Sequence, residues 1–467
     1  MILESLLRLR RPGAILLLCS ASSVAFAADA DAIAEAVAAD EAPRAFLRAL
    51  VDDFGGRLPG TETHAAARAR LVDELAALGL EPEVIPFPIP GWIRGADEVA
   101  LLAPIERPVR SAALAYSEPH PPVEGPVVYI GRGGEEDYPA GELRGAIGLV
   151  APNARHRSDQ LAEIAADRGL TGLLFINRVG GGQVLARSGN FSGTPLAVPI
   201  YSITQEEGFW MQRLLADGQT VRLRLTTRSR SLPTEAANVR VRFPGRSSST
   251  LVVGAHFDSW DLGQGAIDNG LGVAQLFALA RALRGLDLHH SVELIWLDAE
   301  EIGLWGSLHQ ARLSADEPLV AMLNLDMVGV PIGVNALGAD SLVPALERWH
   351  ERRDEPLEKG VENLNWMASD HTPYQLAGVR SLTFNAPIRR ESVRYYHDFA
   401  DTWDKVHEGL IEESSAVIAS LVVTLANDAT LEAHRLEPAE IRALFERFNL
   451  LERLAAVGLE PAQKAGL

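Results

Sequence analysis

Several imidazole and carboxylate side chains fall just where apolar runs end or where loops lead into helices. The run Leu251–Ala255 is followed by His256-Phe257-Asp258. Val292–Leu297 leads into Asp298-Ala299-Glu300-Glu301, and Val320–Leu325 into Asp326. Asp268 precedes the apolar stretch Leu271–Leu283, and His397 precedes Val406–Leu425. Imidazole nitrogens and carboxylate oxygens gathered at one place suit a hard-to-borderline divalent metal. Asp268, Glu301 and Asp326 carry three negative charges, and His256 and His397 are neutral ligands. One divalent ion would leave such a site negative, whereas two ions and one bridging hydroxide bring it to neutrality. The residues therefore predict a two-metal centre, in which bound water ionises near pH ~7 and both ions polarise a scissile carbonyl.

Two neighbours extend the set. Asp258 lies two residues beyond His256, on the same side of an extended segment, where its carboxylate can accept the second ring N–H and fix the tautomer. Of the adjacent pair Glu300 and Glu301, one can ligate while the other takes a proton from bound water as general base. Taken singly, each residue has a plainer reading. A histidine at a strand end packs or is solvated, a Glu-Glu pair sits on a surface, and an Asp before a loop caps a turn. Five such signals at successive strand ends favour the metal. Tyr395 and Tyr396 are candidates to stabilise an oxyanion, with rim or core packing as the alternative. His289, His290 and His309 are expected on solvated surfaces, and Asp370 and His371 in a structural turn.

The elements that must position these groups alternate strand and helix. Residues 238–430 give strands at Leu251–Ala255, Val292–Leu297, Val320–Leu325 and Ser381–Asn385. Helices fall at Leu271–Leu283, Leu304–Leu313 and Val406–Leu425. This pattern predicts an α/β fold with a mostly parallel mixed sheet flanked by helices. Ligands of such sheets bind beyond the carboxyl ends of the strands, where the metal-type residues stand. Upstream, Glu62–Leu78 is helical and Glu83–Phe87 a short strand. Residues 88–140 are rich in Pro and Gly and suggest a boundary. Residues 145–227 form a smaller α/β series without a charged cluster of its own. Thr204-x-x-Glu207 opens one of its helices as a capping box.

The chain has 467 residues, which suggests two or three domains. Its formal net charge of -19 excludes a nucleic-acid partner, since no basic field is available to displace counterions. Residues 1–27 read as a secretory signal: basic Arg8, Arg10 and Arg11, an apolar core from Ala14 to Cys19, and Ala25-Phe26-Ala27 before the cut. Cleavage removes the single cysteine, which excludes disulfides and thiol-bound zinc and suits an oxidising compartment, periplasmic or secreted. No other segment reaches 18 uninterrupted apolar residues, so stable membrane insertion after cleavage is not expected.

At these residues the chain resembles the co-catalytic di-zinc exopeptidases of the aminopeptidase type. Gly254-Ala255-His256-Phe257-Asp258-Ser259 is similar to the family's His-x-Asp motif, and Gly265-Ala266-Ile267-Asp268-Asn269-Gly270 to its bridging-Asp segment. Ala299-Glu300-Glu301-Ile302-Gly303-Leu304, Asn324-Leu325-Asp326-Met327 and His397-x-x-x-Asp401-Thr402 resemble its remaining motifs. Asp258-Ser259-Trp260-Asp261, Gly263-Gln264-Gly265, Arg57-Leu58-x-Gly60 and Trp92-Ile93-Arg94-Gly95 resemble the carboxypeptidase Q branch.

The resemblance implies metal ligands His256, Asp268, Glu301, Asp326 and His397 around two zinc ions, with Asp268 bridging. It implies Glu300 as general base and Asp258 as the residue orienting His256. It further implies a protease-associated domain over 105–235, inserted between peptidase segments 28–104 and 236–430 and followed by a helical extension over 431–467. A homodimer and small peptide substrates, taken in aminopeptidase or dipeptidase mode, also follow. Asp398 and Asn269 depart from the residues usual in relatives. A single-zinc glutaminyl cyclase and a non-catalytic binding module on the same fold are the alternatives. His256 with Asp258 argues against the first, and the complete ligand set with Glu300 against the second. A serine hydrolase elbow and a His-Glu-x-x-His motif are absent from the sequence.

Overall fold

A computed structural model describes residues 30–459, so the expected signal segment and the last residues of the C-terminal extension lie outside the described part. Two eight-stranded sheets organise it. The first runs in the order Glu83–Ile93, Arg230–Phe243, Ser291–Leu297, Thr250–His256, Leu319–Asn324, Ser381–Asn385, Gly333–Asn335, Gly360–Glu362. Its four central strands, Ser291–Leu297 to Ser381–Asn385, are parallel. The expectation of a mostly parallel sheet holds for that centre and for the edge pair Gly333–Asn335 with Gly360–Glu362, whereas Glu83–Ile93 with Arg230–Phe243, Arg230–Phe243 with Ser291–Leu297, and Gly333–Asn335 with Ser381–Asn385 pair antiparallel. Parallel pairing needs a crossover connection, usually a helix. Arg230–Phe243 enters this sheet directly from the other one, without such a helix.

The central strands are buried on both faces. Leu251, Val253 and Ala255 face helices Ala42–Phe54, Gly270–Ala282 and Leu410–Asn427, while Val252 joins Ile295, Met322 and Tyr374 on the opposite face. Leu410–Asn427 is long and apolar enough to cross a membrane, but 61% of it is buried inside the fold, so it serves as a core helix. The strand expected at Glu83–Phe87 continues to Ile93 through Pro86, Pro88 and Pro90. Prolines two residues apart all turn their missing N–H to one side, and this strand lies at the sheet edge, where that side needs no partner.

The second sheet takes its strands from residues 98–227, in the order Arg107–Val109, Glu98–Ala103, Arg222–Thr227, His120–Tyr129, Ile147–Val150, Gly172–Ile176, Ile200–Ile203, Ser111–Ala113. The Pro-rich stretch therefore holds four strands. Thr204 caps helix Gln205–Ala216 by accepting from Glu207 N at 3.1 Å. The Glu207 carboxylate does not complete a capping box; Arg107 holds it instead.

Candidate metal centre

His256 is the last residue of its strand, Asp326 stands two beyond Asn324, and Glu300 and Glu301 follow Leu297. Asp268 sits just ahead of helix Gly270–Ala282, whose N-cap Asn269 accepts from Gly272 N and Met327 N, both at 3.1 Å, and donates to Leu325 O. Asn269, a departure from the family pattern, thus joins the loops carrying Asp268 and Asp326. Positive φ at the non-glycine residues Ala299, Met327 and His397 turns these loops sharply. Such backbone costs about 1–3 kcal/mol per residue and is held by the surrounding structure.

The five expected ligands converge. His256 Nε2 lies 3.3 Å from Asp268 Oδ1 and 3.5 Å from Asp326 Oδ1. His397 Nε2 lies 3.0 Å from both Asp268 Oδ2 and Glu301 Oε2. Asp268 therefore turns one oxygen to each histidine, as a bridging carboxylate would. Each Nδ1 faces a carbonyl at 3.0 Å, that of Asp258 for His256 and that of Ala186 for His397. A neutral ring donates there, which leaves both Nε2 lone pairs aimed at carboxylate oxygens. Lone pairs facing lone pairs repel unless a cation or proton stands between them. The Oε1 of Glu301 is buried without a hydrogen-bond partner. The donor set and this orphaned oxygen fit divalent ions.

In the protein alone, protons are drawn to these places. Burial disfavours charged His256, but Asp258, Asp268 and Asp326 outweigh it and raise its pKa well above the usual histidine value. Burial likewise opposes charge on His397, and Glu301 and Asp268 reverse it. Burial would raise Asp268, yet the two histidines hold it below the ordinary carboxylate range. Glu301 is pushed up to about 7 by burial, against the pull of His397. Burial pushes Glu300 well above the usual range, with Glu301, Asp326 and Asp370 adding to it against His256. The Glu300 carboxyl makes no hydrogen bond among the described residues, so it is free to handle a proton.

Asp258 is placed differently from its expected role. Its carboxylate stands 3.7 Å from His256 Nδ1, beyond hydrogen-bond reach, and its backbone carbonyl takes that contact instead. The carboxylate accepts from the backbone N–H groups of Glu300 at 3.0 Å and Glu301 at 3.2 Å. Asp258 thus positions the Glu-Glu turn, because a short extended segment lets its carbonyl, rather than its side chain, reach back to the ring.

Further groups complete the surroundings. Ser369 donates to Asp326 Oδ2 at 2.7 Å and accepts from Asn324 at 2.8 Å. Asp401 accepts from Ile267 N at 2.8 Å and Asp268 N at 3.1 Å. Asp370 is fully buried, and burial raises its carboxyl to about 7 in the field of His256, Asp258 and Asp326. The Ser369-Asp370-His371 turn was the signal for this group; its reach depends on the strand order. Tyr396 packs on His397 with ring centroids 4.5 Å apart, whereas Tyr395 lies under Lys405. His290, expected at the surface, is buried: Ser249 Oγ lies 2.6 Å from its Nδ1 and Asp428 O 3.0 Å from its Nε2.

The upstream motifs meet here too. The Arg57 guanidinium donates to Phe257 O at 2.8 Å, Gln264 O at 2.9 Å and Gly265 O at 3.0 Å, and Arg94 pairs with Asp261 at 2.7 Å. Both arginines fasten the loop that carries Asp258.

Residues 238–422, which hold every one of the expected ligands, match the model of peptidase family M28. The segment that holds the ligands is thus of the peptidase family M28 type. This match and the relatives below support a metallopeptidase enzyme. Aminopeptidase YwaD of Bacillus subtilis is 24% identical over 80% of this chain and 82% of its own length. Human carboxypeptidase Q is 26% identical over 57% of this chain and 61% of its own, so that branch stands among the relatives beside aminopeptidases. An M28 peptidase precursor from Shewanella amazonensis shares the fold with a TM-score of 0.77 at 22% identity, over 88% of this chain and 99% of that one. A zinc aminopeptidase from Bacillus subtilis does so with 0.67 at 21%, over 85% and 98%.

Proposed function

We propose that this M28 peptidase is an exported di-zinc exopeptidase that hydrolyses short peptides. The observation that carries this reading is the splitting of Asp268 between His256 and His397, which makes two adjoining ligand sets around one carboxylate. His256, Asp326 and Asp268 would hold one ion, and His397, Glu301 and Asp268 the other. Zinc suits nitrogen and oxygen donors of this kind. When bound, the ions supply Lewis acidity toward the scissile carbonyl and acidify water. The chain's own residues do the rest. Asp258 sets the direction of the Glu300 carboxyl through the backbone of the turn. Glu300 takes a proton as water adds to the carbonyl carbon and returns it to the amine as the C–N bond breaks. The second sheet, which we read as a protease-associated domain, borders this cleft through Ala186 and limits substrate length.

The test is a peptide panel with free or blocked amino termini and free or amidated carboxyl termini, run on zinc-loaded protein with metal analysis. Two zinc ions per chain and cleavage from one free terminus are expected. One zinc per chain with cyclisation of amino-terminal glutamine would replace the reading. Export is checked by the mass of the protein outside the cytoplasm, which should begin at Ala28.

A further inference from the structure

In the second sheet, Ile147–Val150, Gly172–Ile176 and Ile200–Ile203 run parallel, and a cavity of about 410 Å³ opens at their carboxyl ends. Crevices outside the carboxyl ends of parallel strands are where such sheets take ligands. This one is lined by His156, Arg157, Asn177, Arg178 and Arg187, and the ten-residue helix Ser158–Asp167 points its first turn at it. The basic side chains differ in state. Arg157 is already paired with Asp159. Arg178 and Arg187 have no side-chain hydrogen bond or ion pair among the described residues. Arg187 lies over the Phe175 ring, 5.5 Å from its centroid. Burial lowers its pKa and neighbouring Arg178 lowers it further. A half-buried guanidinium beside a second one, with no carboxylate paired to it among the described residues, is suited to an anion as partner.

The cavity shares a wall with the metal centre. Ala186, between the lining residues Leu185 and Arg187, is bonded on both sides to His397: its N–H donates to His397 O at 2.8 Å, and its carbonyl accepts from the ring. Tyr396, which packs on the His397 ring, lies within electrostatic reach of Arg187. Arg187 thus directly follows the residue that holds the His397 ring. Planar bidentate recognition of carboxylate is what a free guanidinium does best. From this geometry we infer that Arg187 and Arg178 form a carboxylate-recognition subsite that holds the free carboxylate of a short peptide while its peptide bond lies at the metal centre.

This rests on the peptidase reading, and the experiment separates the two. Zinc-loaded wild type and Arg187→Met are compared on Ala-Ala, Ala-Ala-amide and Ala-Asp-amide. Wild type should prefer a carboxylate-bearing peptide over Ala-Ala-amide by about tenfold or more in kcat/KM, and the preference should fall to about one in Arg187→Met. Preference for Ala-Ala assigns the subsite to the terminal carboxylate, and preference for Ala-Asp-amide to an acidic side chain. Equal rates on all three in wild type, or an unchanged ratio in the variant, overturns the subsite and leaves the peptidase reading standing. If none of the peptides is cleaved, the substrate reading fails, and calorimetry with N-acetylalanine judges the subsite alone. Binding to wild type that Arg187→Met loses supports it, and absent or equal binding overturns it.

Discussion

At the scale of single residues, the division of work between Glu300 and Glu301 follows from their surroundings. Glu301 touches His397 at 3.0 Å, while the Glu300 carboxyl touches no hydrogen-bond partner among the described residues. Glu300→Gln should keep the wild-type metal content and lose about 10²–10⁴ in kcat, the range for a positioned acid–base group; metal analysis beside peptide kinetics checks this, and a near-normal rate would remove Glu300 from the chemistry. His371 makes a second prediction. Burial keeps it neutral with a pKa lowered to about 4, against about 6.5 when unfolded. The unfolded chain therefore takes the proton first. The stability tied to this group is complete above pH ~6.5 and is lost as pH falls toward about 4, by roughly 3 kcal/mol. Urea unfolding of metal-free wild type and His371→Asn at pH 7 and 4.5 should show a smaller pH effect in the variant, and identical pH effects would contradict the assignment. Residue types were legible where chemistry restricts the choice: only His, Asp and Glu bind zinc in a chain whose lone cysteine lies in the expected signal. The contact made by Asp258 was not, since one residue offers both a carboxylate and a carbonyl and only the backbone path decides which reaches the ring.

At the scale of elements, the loop from Arg394 to Asp401 is joined to the segment Gly180–Ala186 of the other sheet. The Asp398 carboxylate accepts from Val184 N at 2.7 Å and Ala400 N at 3.0 Å, Arg394 donates to Gly180 O at 2.8 Å, and Gln183 donates to Arg394 O. His397 sits inside this latch with φ of 61°, a conformation that needs outside support. Asp398→Ala should weaken metal affinity by about 10–100-fold, as loss of groups that orient ligands does. Asp398→Asn, which keeps one oxygen acceptor, should recover part of it. Zinc titration by competition with a chelator measures both, and unchanged affinity in the alanine variant would refute the latch. The sequence marked Asp398 as unusual, and the latch supplies a reason that no linear pattern carries. The strand Ser381–Asn385 was readable to the residue, because an apolar run bounded by turns leaves little choice. The extension of Glu83–Ile93 through its prolines was not, because edge position is a property of the assembled sheet.

At the scale of the whole molecule, Arg57 ties the N-terminal segment to the loop that leaves the His256 strand. Four backbone carbonyls receive its guanidinium, at 2.8–3.3 Å, and burial lowers its pKa to about 10. Arg57→Met would leave these buried acceptors without donors and should cost about 3 kcal/mol or more. Denaturant unfolding measures the loss, and a change under 1 kcal/mol would show that water replaces the side chain. The sequence by itself determined the ligand types, their places at the ends of apolar strands, the α/β class and the acidic balance, because each depends on local composition and periodicity. The tertiary structure alone decided which strands pair antiparallel, that Asp268 faces two histidines, and that Ala186, in the segment between two strands of the second sheet, supports His397. Those facts depend on which distant strands lie side by side. Contacts between segments more than a hundred residues apart, such as those of His397 with Asp268 and Ala186, are set by the packing of the whole chain, and no short stretch of sequence carries them.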